Sequence, residues 1–224
     1  MMMTTTIWSE GQSVRVPAWV CDLASFRRWV RSDEFPETGR ICFLDGEVWV
    51  DLSREQVFSH NQVKTEFSYV VAGLIKTNRL GRYCPDGMLF SNEVANLTAQ
   101  PDGIFLSRQG LRTGRIRFVG GTNGDYVELE GTPDMVLEIV STSSVVKDYK
   151  RLRELYWRAG IREYWIVDAR PERPSFDILR HTANGYTATR KQGGRVKSAV
   201  FGKSFRLTRK TDEQGNPEYE LAVK

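Results

Sequence analysis

Pro133-Asp134-Met135-Val136-Leu137-Glu138-Ile139-Val140-Ser141 decides the fold, because a carboxylate at position 138 stands inside a run that otherwise reads as a buried β-strand. Burying a carboxylate costs several kcal/mol unless it is paired, hydrogen-bonded or bound to a metal. Side chains alternate across a strand, so Asp134, Val136 and Glu138 share one face while Met135, Leu137 and Ile139 share the other. Ser141-Thr142-Ser143-Ser144 follows, a cluster able to cap a helix by accepting bonds from its free amides. That helix runs to about Ala159, with Leu152, Leu155 and Tyr156 on one side, and Gly160 supplies the stop. Glu163-Tyr164-Trp165-Ile166-Val167-Asp168 then reads as a further buried strand. Strand, helix and strand in succession imply a parallel pair.

Working outward, Leu23–Val30 reads as a short helix ended before the Pro36-Glu37-Thr38-Gly39 turn. Residues Ile41–Val50 form a hairpin about Asp45-Gly46, with Glu47 opening the returning strand. From Arg54 to Asn78 apolar residues recur at three- and four-residue spacing, which predicts a long amphipathic helix covering the sheet. Arg82–Phe90 and Glu93–Leu97 are candidate strands. Gln100-Pro101-Asp102-Gly103-Ile104-Phe105-Leu106 is another, with an acid at its mouth; Pro101 forces an extended approach and Gly103 leaves room for close contact. A glycine-rich insertion, Arg108–Gly131, carries its own hairpin around Asn123-Gly124. Beyond a break at Pro171–Pro174, short strands are expected at Phe176–Leu179, Gly185–Thr189 and Phe205–Leu207.

The chain has 224 residues, enough for one domain with a full core, and its 40% hydrophobic and 27% charged residues are ordinary for a soluble protein. We expect a single domain with its core at about residues 41–170 and a β-rich extension at about 171–224. The net charge of +4 is small beside 32 basic and 28 acidic side chains. Placement matters more: Arg180, Arg190, Lys191, Arg195, Lys197, Lys203, Arg206, Arg209 and Lys210 follow one another with no acid between Arg180 and Lys210. Such a stripe either tracks phosphates or is a solvated face. Cys21, Cys42 and Cys84 have no metal-like spacing and no apolar leader precedes them, so a reduced, cytoplasmic protein without a membrane span is expected, with a frayed Met1–Thr6.

Asp102 and Glu138, brought side by side in one sheet, would make a hard, oxygen-rich pocket suited to Mg²⁺ or Mn²⁺. Leu44-Asp45-Gly46-Glu47, Ser59-His60 opening a helix, Pro101-Asp102 heading a strand, the Pro133–Ser141 run and Ala159-Gly160-Ile161-Arg162-Glu163-Tyr164-Trp165-Ile166-Val167-Asp168 together resemble the Uma2 family, a branch of the PD-(D/E)xK restriction-endonuclease-like superfamily. The resemblance spans Phe43 to Asp168. It implies a mixed α/β fold with a core of αβββαβ order, a central mixed sheet flanked by helices, an N-terminal helix and hairpin, and the C-terminal extension.

The resemblance also implies Asp102 and Glu138 as metal ligands, Glu47 as an additional acid, and a lysine that orients water. Here the chain departs from the pattern. Val140 stands two positions after the acid, and the family's alternative helix position, four before Tyr156, is Leu152. Lys147 and Lys150 are the substitutes, Lys147 being nearer the strand end, with Arg151 also in range. His60 either contacts phosphate and supports Glu47 or is a capping histidine. The implied activity is a divalent-metal-dependent endonuclease acting on DNA, possible as a homodimer; the alternative is a catalytically decayed nuclease-fold module that binds nucleic acid or protein. No helix-turn-helix or zinc finger accompanies it.

Overall fold

The computed structural model describes residues 5–9, 12–121 and 124–224. Met1–Thr4 and Asn123, which bear on the expected frayed end and insertion hairpin, lie outside the described residues. The first half of the chain runs β1 (Thr5–Ser9), β2 (Gln12–Val16), α1 (Leu23–Val30), β3 (Arg40–Leu44), β4 (Glu47–Asp51), α2 (Val63–Thr77), β5 (Gly81–Pro85), β6 (Leu89–Asn92), β7 (Leu97–Ala99) and β8 (Gly103–Ser107). It continues with α3 (Arg108–Arg112), β9 (Ile116–Gly120), β10 (Tyr126–Gly131), β11 (Met135–Ile139), α4 (Arg153–Arg158), β12 (Glu163–Asp168), β13 (Ser175–Thr182), β14 (Gly185–Ala188), β15 (Val196–Lys197), β16 (Ser204–Thr211) and β17 (Pro217–Val223).

The central sheet has the order β14-β13-β12-β11-β8-β5. Every pair in it is antiparallel except β11 with β12, the parallel pair that α4 connects. Taken along the chain, α2, β5, β8, β11, α4 and β12 give the αβββαβ order. The alternation of β11 is realised: Met135, Leu137 and Ile139 pack with Val63, Phe67, Val71 and Ile75 of α2, while Val136 packs with Leu152, Leu155 and Tyr156. The β15-β16-β17 sheet closes over the α2 side through Phe205 and Leu221.

Two excursions leave the central sheet, one between β5 and β8 and one between β8 and β11. They meet in a second sheet of order β4-β3-β7-β6-β10-β9, where β6 and β10 pair in parallel. Within β3, Cys42 and Leu44 face the α4 side of the core, whereas Ile41 and Phe43 pack under Phe26 and Trp29 of α1. α1 occupies Leu23–Val30 as expected, because the Asp22 side chain accepts from the Ser25 amide at 2.7 Å.

Several local expectations need correction. Arg82–Phe90 is two strands in different sheets, separated by a turn at Asp86-Gly87 with Gly87 at φ 89°. Glu93–Ala95 is a turn rather than strand, since the Asn92 side chain accepts from the Ala95 amide at 2.9 Å. Thr5 and Thr6 belong to β1, paired with β2. The helix expected from Arg54 starts later, as a π-helical turn at Val57–Gln62, and the helix after the serine cluster likewise passes through a π-helical turn at Lys147–Leu152 before α4.

Candidate active site

Asp102 sits one residue before β8, and Glu138 near the end of β11; they are 0% and 2% exposed. The β8–β11 ladder ends at Gly103/Leu137, and the Asp102 carboxylate takes over, its Oδ2 accepting from the Ile139 amide at 2.7 Å. Gly103 leaves room for the Tyr83 side chain to pack against the strand here, since a Cβ would collide with the Tyr83 hydroxyl and ring. Glu138 points to the α4 side, where its Oε1 accepts from the Tyr156 hydroxyl at 2.6 Å. The two acids are near enough that each weighs on the ionisation of its surroundings: Asp102 is among the charges acting on Glu138 and on Lys147.

The π-helical turn at Lys147–Leu152 turns two consecutive side chains inward. Lys147 and Asp148 are 9% and 1% exposed, with Lys147 Nζ 3.4 Å from Asp148 Oδ1. The turn is seated by the serine cluster: the Ser141 amide donates to the Ser144 hydroxyl at 2.9 Å, and the Ser144 amide donates back to the Ser141 hydroxyl at 3.2 Å. Ser144 Oγ in turn donates to Asp148. Lys150 is exposed, and Arg151 reaches away to Glu47.

Burial raises Glu138's pKa well above the usual carboxylate range, reinforced by Asp148 and Asp102 and opposed by Lys147 and the Tyr156 hydroxyl. Asp102 behaves oppositely. Burial works against its charge, but His60, Arg40 and the Ile139 amide outweigh burial and hold its pKa down. Lys147 keeps its proton, since Glu138 and Asp148 more than offset the cost of burial. Asp148 is raised, first by burial and then by Asp102. One oxygen each of Asp102 and Asp148 is buried without a hydrogen bond. The Arg40 guanidinium lies 3.2 Å from the orphaned Asp102 Oδ1 but is poorly aligned with it.

Placement of the expected residues is therefore uneven. Asp102, Glu138 and Lys147 come together. His60 joins them, with Nε2 3.5 Å from Asp102 Oδ2 and Nδ1 2.7 Å from Glu55; it supports Asp102 and not Glu47. Glu47 does not join: its side chain is 56% exposed, 3.0 Å from Arg151 and bonded to the Trp49 indole at 3.2 Å. The third buried acid of the cluster is Asp148. Asp134 braces the sheet through Arg115 and the Ser107 amide, and Asp168 holds Arg170. Glu66 accepts from the Leu221 amide at 2.7 Å and ties β17 to α2.

Sequence reading missed Arg40 and Asp148. Asp148 had a signal, since it precedes the buried Leu152 by four residues and so shares its helix face. Arg40 had none, being brought in only by the second sheet.

Two cavities open onto the cluster. One, of about 270 Å³, is lined by Arg40, Asp51, Arg54, Glu55, His60 and Ser141 among others; the other, of about 200 Å³, is lined by Arg40, Cys42, Trp49, Asp51, Ser143 and Lys147 among others. Arg40, which pairs with Asp102, lines both cavities, and Lys147 lines the second.

The donors are hard oxygens, and buried carboxylates that burden one another's charge, one with an orphaned oxygen, suit a divalent cation. Among the described residues no three His, Cys, Asp or Glu side chains already surround one point. Mg²⁺ usually uses one or two carboxylates, with waters and substrate phosphate completing its shell, so Asp102 and Glu138 fit that role without a third acid.

A family model described as "Uma2: Putative restriction endonuclease" matches residues 23–209. A comparison with curated proteins finds no match. Among solved structures, a crystal structure described as a "putative nuclease belonging to DUF820" from Anabaena variabilis ATCC 29413 is similar in fold, with TM-score 0.59 and 15% identity over 81% of this chain and 90% of that one. No helix is long and apolar enough to cross a membrane, among the described residues.

Proposed function

Because the chain belongs to the Uma2 family of restriction-endonuclease-like proteins, we propose that it is a divalent-metal-dependent nuclease hydrolysing phosphodiester bonds in DNA. The observation that supports this best is the meeting of Asp102, Glu138 and Lys147 behind a cavity whose rim carries Arg40 and Arg54. Asp102 and Glu138 would hold the cation. When bound, a divalent ion supplies Lewis acidity to the phosphate and to the attacking water.

The protein's own groups then have distinct tasks. Lys147 keeps its proton beside Glu138 and would offer a fixed positive charge to the negative charge developing on the five-coordinate phosphorus group. Asp148, seated by Ser144, fixes where that charge stands. Tyr156 orients the Glu138 carboxylate, and His60 with the Ile139 amide orients Asp102. Arg54 is exposed at the rim, makes no ion pair among the described residues, and is available to a phosphate backbone.

The test is incubation with supercoiled plasmid in Mg²⁺ or Mn²⁺, beside Asp102→Ala and Glu138→Ala variants prepared identically. Nicking or linearisation by the wild type, reduced at least a hundredfold in both variants, is expected from removal of a charge-stabilising group (about 10²-fold or more). Cleavage that persists in both variants, or none by the wild type in either metal, refutes the reading.

A further inference from the structure

The two π-helical turns that carry His60 and Lys147 each also turn an aromatic side chain outward: Phe58, 38% exposed, and Tyr149, 37% exposed. Phe58 borders a cavity of about 330 Å³ that it shares with Val57, Arg170, Arg209 and Tyr219. One stretch of chain, residues 53–59, forms a wall shared between this cavity and the active-site cavity. Ser53, Arg54 and Glu55 line one side, and the next residues, Gln56–Ser59, line the other. The wall is held to the serine cluster by Gln56 to Thr142 at 2.7 Å and by Ser53 to Ser143 at 2.9 Å.

Charge gives this second cavity a direction. Arg209 makes no ion pair among the described residues, while Arg170 is held by Asp168 at 2.7 Å. On the other side of Phe58 the surface turns acidic, with Glu66, Asp212 and Glu218 around the adjoining hollow. A polyanion leaving the active site is thus drawn over Phe58 toward Arg209 and repelled along α2. Phe58 has no aromatic partner among the described residues, so its ring is available.

Resting on the nuclease reading, we propose that Phe58 and Arg209 form a subsite for an unpaired nucleotide flanking the scissile bond, the base stacking on Phe58 and its phosphate meeting Arg209. A base within a duplex already has both faces covered, so the subsite selects single-stranded or frayed nucleic acid. Stacking of this kind is tolerant of base identity.

The test is fluorescence anisotropy with a fluorescein-labelled single-stranded DNA and its duplex, in EDTA, so that cation chemistry plays no part. Phe58→Ala should weaken single-strand binding about fivefold or more and leave duplex binding unchanged, and Phe58→Trp should restore it. Arg209→Gln should lower the slope of log affinity against log salt by about 0.7. Single-strand affinity equal in wild type and Phe58→Ala overturns the subsite, as does a wild-type preference for duplex. If plasmid cleavage in Mg²⁺ or Mn²⁺ holds alongside such a result, only the subsite falls; the nuclease reading falls on the absence of that cleavage.

Discussion

Lys147→Met isolates the electrostatic arrangement on which the site depends. The Lys147 ammonium, 3.4 Å from Asp148 Oδ1, faces a carboxylate that is 1% exposed. At an effective dielectric of about 20 their attraction is about 5 kcal/mol. Without Lys147, Asp148 keeps only the Ser144 hydroxyl, and folding then favours its protonated form. Starting from an ordinary carboxylate value of 3.8, protonation costs about 1.36 kcal/mol per pH unit. One stranded carboxylate therefore destabilises by at most about 4.4 kcal/mol at pH 7 and about 1.6 kcal/mol at pH 5. The sign follows from the raised folded-state pKa: the variant is best off below the unfolded value and loses stability as pH rises. Urea denaturation of wild type and variant in EDTA at both pH values measures the difference. We expect a gap of several kcal/mol at pH 7 that shrinks by up to about 2.7 kcal/mol at pH 5, and loses this pH dependence when both facing acids are neutralised in a Glu138→Gln/Asp148→Asn background. A gap that is flat with pH, or under about 1 kcal/mol at pH 7, refutes Lys147 as counter-ion to the buried acid.

Glu138→Gln should raise the melting midpoint of the metal-free protein at neutral and alkaline pH. Burial raises the Glu138 pKa, so its stabilising contribution is present in acid and lost as pH climbs through the folded value; glutamine lacks that loss and still accepts from Tyr156. Differential scanning calorimetry in EDTA reads this, and a midpoint lowered throughout the range contradicts it. Glu163→Gln should cost about 1.5–3 kcal/mol in urea denaturation, the range for hydrogen bonds to a charged group. Its carboxylate accepts from Trp165 Nε1 at 2.9 Å, Ser198 Oγ at 2.7 Å, and the Ala199 and Val200 amides at 2.5 and 3.1 Å. An amide nitrogen in that nest would face donors, so a loss below about 1 kcal/mol contradicts the assignment.

Much of this was legible because local chemistry and tertiary packing agree. Asp45-Gly46 turns the hairpin with φ of 52° and 97°, and the apolar periodicity of α2 meets the odd-numbered side chains of β11. Legibility stopped where a residue's neighbours are remote in sequence. The second sheet was hidden because its inner strands carry polar residues satisfied only across strands, such as Ser91 with Thr98 at 2.8 Å. Glu47 was misplaced for a related reason. A hairpin position fixes where a residue stands along the strand, not whether a distant arginine holds its side chain outward. Glu138 was readable because its cost is local, a charge inside an apolar strand whatever surrounds it.

The π-helical turn at Lys147–Leu152 carries more residues per turn than an α-helix, so that segment has slack of about one residue relative to regular winding. Removing a residue from its exposed side, Lys150 for instance, would let the helix wind regularly. The deletion would take up that slack, so the flanking turns would keep their phase while the side chains within the turn shift by roughly 100°. Lys147 would swing out of the carboxylate nest though no side chain of the cluster had been altered. Length, rather than residue identity, is what this helix has least freedom to vary, and shortening by one is the lesion most apt to silence the site while leaving the sheet intact.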